Sequence, residues 1–146
     1  MSQILDTDGT RPGLGTRLTV HAAVAAARLL AHLPPRRIRA VLGLARRGAR
    51  PARFAEALRA RREVTAVSTL CAGRYCLPRS LATALLCRMR GHWPTWCSGV
   101  RTSPFGAHAW VEAEGRPVDE PQDIATYLPM VTVPDTPANH APDPGK

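Results

Sequence analysis

At Gly91 the chain changes its period. Before it, apolar residues recur every three to four positions, as on one face of a helix; after it they fall in short runs parted by turn residues, as in small strands. Helices in front and strands behind predict an α+β domain whose N-terminal helices pack on a small antiparallel sheet. From Thr16, a stripe of Leu18, Ala22, Ala25 and Leu29 reads as a buried Ala-rich helix ended by Pro34 and Pro35. A second helix from about Arg36 turns Ile38, Val41, Leu42 and Ala45 inward, with Arg37, Arg39, Arg46 and Arg47 outward. Pro51 opens a third helix with Phe54, Leu58, Val64 and Val67 as its apolar positions. The fourth lies in GRYCLPRSLATALL, residues 73–86: Leu77, Leu81, Ala84 and Leu85 form one stripe, Pro78 suits the first turn and Gly91 the cap.

Strands are expected at 95–100, 107–113 and 116–120, the last two joined through Glu114-Gly115 as a hairpin. Residues 1–15, with Gly9, Pro12, Gly13 and Gly15, read as a flexible arm, and residues 134–146, rich in proline, as a disordered tail. One domain therefore spans 16–133, and 146 residues with 45% apolar content suffice for a real core. No internal repeat and no dinucleotide or phosphate loop is visible.

Charge narrows the function classes. Of 20 basic residues 19 are Arg, ten of them between Arg36 and Arg62, while seven of the 11 acids lie from Glu112 onward. A nucleic-acid module would need stacking platforms beside such a cluster, and no tryptophan falls within it, so no nucleic-acid partner is expected. Residues 18–33 approach a signal sequence in hydropathy, but His21, Arg28 and His32 interrupt them and the run is too short for a membrane span. A cytoplasmic protein with reduced thiols follows.

Cys76 stands where the fourth helix begins. Unpaired N–H groups and the helix dipole favour a thiolate there, and the thiolate is the nucleophilic form. Such a nucleophile needs a base and an acceptor that orients the base. His108 opens an apolar strand, and Asp119 and Glu120 end the next, so an acid could lie beside the histidine across a hairpin. Neighbours on a strand point to opposite faces, so only one of the two acids can readily do so. His92, just after Gly91, is the rival base. Cys71, Cys76, Cys87 and Cys97 contain no C-x-x-C pair, and spacings of 5, 11 and 10 match no usual zinc site, so no metal and no cofactor is expected. Packing is the expected role of Cys87 and Cys97.

CLPRSLATALLCRMRGH, followed by TWCSGVRTSPFGAHAWVEAEGRPVDEP, resembles the transglutaminase-like cysteine peptidases that remove the leader during bacterial lasso peptide biosynthesis. The resemblance covers about residues 70–133, and its most specific element is the H-A-W-V-E strand 32 residues after a helix-initiating cysteine. It implies Cys76 as nucleophile, His108 as base and an acid on the following strand; spacing within the family leans to Glu120 over Asp119. The backbone N–H of Cys76 is the expected first oxyanion donor, with the second unassigned. Larger relatives carry a leader-binding domain ahead of this one. Too few residues precede Thr16 to hold it, so the resemblance implies the split form, in which a separate leader-recognition protein presents the precursor peptide. The Arg36–Arg62 cluster is then the expected docking face, and the lasso cyclase is a further candidate partner. An acyltransferase of the same superfamily would use the same residues with an amine in place of water.

Overall fold

The computed structural model describes residues 13–67 and 75–136. Their order is α1 (Leu14–Leu30), α2 (Pro35–Ala45), β1 (Arg50–Pro51), α3 (Phe54–Val67), α4 (Cys76–Met89), β2 (His92–Trp93), β3 (Thr95–Thr102), β4 (Phe105–Ala113), β5 (Arg116–Pro117), a 3-10 turn (Gln122–Thr126) and β6 (Leu128–Val133). The described residues form an α+β fold, with four helices and an antiparallel four-stranded sheet of order β5-β4-β3-β6. A two-residue parallel pairing of β1 with β2 sits apart from it. Among the described residues no helix is long and apolar enough to cross a membrane.

Everything is built around α4. Ser80 to Ala84, Leu86 and Cys87 are all buried, so this helix is enclosed on nearly every side rather than along one stripe. α1 and α3 pack on it from one side and β4 and β3 from the other. Leu81, Leu86, Trp93 and Trp96 fill the space between. The Trp96 Nε1–H donates to Ser80 Oγ at 3.0 Å, which satisfies an indole that would otherwise be stranded in the core. Gly91, at φ +90°, ends the helix as its cap position predicts, its N–H donating to the Arg88 carbonyl.

The burial of α1 reverses the sequence expectation. Val20, Ala23, Val24 and Ala27 face the core, whereas Leu18, Ala22, Ala25 and Leu29 face outward. Both sets have helical spacing, so periodicity could not choose between them; the smaller residues let α1 approach α4 closely. On α2, Ile38 and Leu42 are buried while Val41 turns out.

No strand was expected over β6, whose Pro129 cannot donate to a ladder. It is tolerated on an edge strand, where β6 pairs only with β3. The hairpin at Glu114-Gly115 has φ values of 53° and 74°, both positive as a two-residue turn of this kind requires. Helix α1 begins at Leu14, inside the arm read from sequence; residues 1–12 and 137–146 lie outside the described residues. The first residues of the expected tail are tied to the body: Arg46 Nη1–H donates to the Pro134 carbonyl and Asp135 N–H to Thr95 Oγ1. Arg46 is thereby occupied within the fold, and the arginine cluster is not one open face. Arg50 pairs with Glu56, Arg59 with Glu63, and Arg61 is buried.

Candidate active site

Tyr75 precedes α4 and supplies no side-chain cap, so the first N–H groups of the helix have no such partner, and Cys76 is its first residue. Its half-buried thiol meets β4, where hydrogen bonding with the His108 ring and the Ala109 backbone N–H favours the thiolate. The reason Ala109 is available lies in strand alternation. Val118 N–H donates to the Val111 carbonyl, so Val111 directs its backbone toward β5, and Ala109, two residues earlier, directs its own the same way. β5 ends at Pro117, before it can cover Ala109, and the start of α4 takes the vacant place.

The sequence expected the last strand to continue to Glu120; instead Asp119 adopts φ 53° and turns the chain out of the ladder. That turn brings Glu120 under His108, whose Nε2–H donates to Glu120 Oε2 at 2.8 Å. Nδ1 is left as the ring nitrogen that serves Cys76. Asp119 points to Arg61 instead. Thus the structure brings Cys76, His108 and Glu120 into one line and sets Asp119 beside it.

Sequence reasoning missed four members of this surrounding. Arg61, on α3, is buried, and its two terminal nitrogens donate to Asp119 Oδ2 at 3.2 Å and Glu120 Oε1 at 3.4 Å. Its signal was an arginine four residues after Ala57 and three before Val64, on the buried stripe of an otherwise ordinary helix. Trp110 stacks on the His108 ring, 5.9 Å between centroids at 12°, and Tyr127 lies at 5.4 Å from the same ring. Trp110 shares a strand face with His108, which alternation would have shown; nothing local marked Tyr127. The fourth is the Ala109 backbone.

Electrostatics favour an ion pair. Burial is the largest influence on Cys76 and raises its pKa, but the hydrogen bonds from His108 and Ala109, with the charges of His108 and Arg79, leave the thiol below its ordinary value. The hydrogen bond with Cys76, then that with Glu120, raises His108 to about 9 against the effect of its burial. The other described cysteines are opposite in character: burial pushes Cys87 and Cys97 up to about 12. Cys71 lies outside the described residues.

His92 does not reach this line. It is buried on β2, beyond the far end of α4, whose 14 residues span about 20 Å. Its Nδ1 lies 3.3 Å from Glu56 Oε2. Among the described residues no three His, Cys, Asp or Glu side chains converge as metal ligands would.

Comparison with curated proteins and with solved structures gave no match. Members of the transglutaminase-like superfamily are usually cysteine-dependent enzymes. The model of that family, described as "Transglutaminase-like superfamily", matches residues 20–132, from α1 through β6, and the chain belongs to this superfamily.

Proposed function

We propose that the chain is a cysteine peptidase that removes the leader from a lasso peptide precursor in the cytoplasm, working with a separate leader-recognition protein and delivering its product to the cyclase. The observation that carries this reading is the line from Cys76 through His108 to Glu120 at the start of α4, joined to the sequence resemblance of that segment and of β4.

The chemistry follows from the ion pair. The Cys76 thiolate attacks the carbonyl carbon at the leader-core junction, and the Cys76 N–H faces the oxygen on which charge develops. His108 donates its Nδ1 proton to the departing amine, leaving the leader as a thioester on Cys76. Neutral His108 then takes a proton from water, whose oxygen attacks the thioester; the leader leaves as a free acid and Sγ as thiolate. Glu120 holds the imidazole throughout and stabilises its charged form.

Mass spectrometry of a candidate precursor from the neighbouring reading frames, incubated with the chain and its recognition protein, tests this. Free leader acid is expected, with much less formed when the partner is left out. Cys76→Ala and His108→Ala should each abolish it while circular dichroism stays unchanged. Cleavage by the Cys76→Ala protein would end the proposal, and an amide-linked product would make the chain an acyltransferase.

A further inference from the structure

Cys76 forms part of the wall of a groove of about 460 Å³ between the last turn of α1 and the first turn of α4. This is the size of a pocket that buries a side chain and its neighbours. Tyr75, Leu77 and Pro78 make one side apolar; Arg28, Ala31 and His32 make the other. Arg28 lies in the last turn of α1 and His32 in the turn that follows the helix, and both line the groove. Neither forms an ion pair or side-chain hydrogen bond among the described residues. Among the described residues no carboxylate pairs with them: α1 and α2 contain no Asp or Glu, and Asp119 and Glu120 are taken up by Arg61 and His108.

We infer that this groove selects the acyl side of the substrate, the part that stays bonded to Cys76 after the amine has left. Its occupant is a peptide segment with a bulky apolar side chain against Tyr75, Leu77 and Pro78, beside a carboxylate that Arg28 and His32 receive. The charge comes from Arg28, and His32 adds a hydrogen-bond partner. The apolar wall sets the size of the side chain, while the basic edge rejects a cationic neighbour. This inference rests on Cys76 being the nucleophile of a peptidase, and the test separates the two.

Three acetylated peptidyl chloromethyl ketones, Glu-Phe-Gly, Arg-Phe-Gly and Glu-Ala-Gly, are incubated with the whole chain. Peptide mapping follows the Cys76 Sγ–carbon bond that forms as chloride leaves. Each rate is divided by the iodoacetamide rate of the same protein, which removes differences in thiol reactivity. The Glu-Phe probe should react about tenfold faster than either other, the equivalent of one modest interaction lost in each. Arg28→Glu should invert the order of the Glu-Phe and Arg-Phe probes, and Ala31→Trp, which fills the groove, should erase the advantage of Phe over Ala. Equal normalised rates for all three probes overturn the groove assignment while leaving the nucleophile in place. Iodoacetamide that labels Cys87 or Cys97 as fast as Cys76 overturns the peptidase reading itself.

Discussion

A guanidinium with one-tenth of its side chain exposed holds two adjacent carboxylates that diverge from the positive-φ turn at Asp119. Arg61 thus fixes the direction of Glu120, and through Glu120 the ring of His108. Glu120 itself is only 2% exposed, so removing its partner leaves a buried carboxylate short of a donor. Arg61→Met should destabilise the fold by about 3 kcal/mol, as breaking a buried ion pair does. A positioning role adds something that lost stability alone would not. With Glu120 less well held, His108 is a poorer cation and Cys76 a poorer thiolate, so the alkylation rate of Cys76 should rise at higher pH than in the wild type. Turnover should fall about a hundredfold, the effect of misplacing a catalytic group by about 1 Å. Arg61→Lys keeps the charge with fewer donors and should recover part of the shift. An alkylation profile with the same inflexion in Arg61→Met and wild type would leave Arg61 only a structural part.

At the level of elements, β3 is confined on both edges, by β4 and by β6. Its ladder to β6 slips between Ser98 and Gly99, and Gly99 stands opposite His108 in the ladder to β4. A Cβ at Gly99 would lie 2.3 Å from the Leu128 oxygen and 2.8 Å from its carbonyl carbon, both backbone atoms that no rotamer change can move. Gly99→Ala should therefore cost about 2 kcal/mol, as overpacking does, and hydrogen exchange should speed first in β6 while α4 stays protected. Gly43, on α2, meets nothing within 4 Å, so Gly43→Ala should stabilise by up to about 1 kcal/mol. Equal stability of the two variants would refute the close approach. What could be read in advance follows the same logic. Cys76 and His108 were legible because a helix start and an alternating strand are local patterns. The buried face of α1 was not, since Val20, Ala23, Val24 and Ala27 compete with an equally apolar stripe. β6 was hidden by Pro129, and strand alternation left Asp119 and Glu120 open because it does not foresee the positive φ at Asp119; only the family spacing leaned to Glu120. Arg61 acts across 58 residues of chain, and periodicity alone assigns it no partner.

Across the whole molecule, proton uptake is concentrated at the two ends of α4. At the start, hydrogen bonding favours the charged forms of both groups: it raises His108 from 6.5 to about 9 and, against burial, leaves Cys76 below 9.0. As pH rises toward 9 the first shift lowers stability and the second raises it, so the two slopes oppose each other. Beyond the other end, His92 is 4% exposed, and neither ring nitrogen has an aligned hydrogen-bond partner among the described residues. Burial lowers its pKa below 6.5; Glu56 opposes this, and the charges of Arg50 and Arg90 reinforce it. The unfolded chain thus binds this proton first, and stability declines as pH falls below 6.5. Glu56 acts further down. Its hydrogen bond from Arg50 lowers it from 4.5 to about 2, so the stability it lends is present above 4.5 and disappears as pH drops toward 2. Thermal unfolding should accordingly show a melting temperature that falls as pH drops below 6.5 and falls again below 4.5. His92→Gln cannot take up the proton, so it should flatten the first decline relative to wild type while the second, which belongs to Glu56, persists. The comparison is of slopes, because the substitution also shifts the whole curve by its effect on packing. Parallel curves for the two proteins between about pH 7 and 5 would mean that His92 is not the group that senses acid.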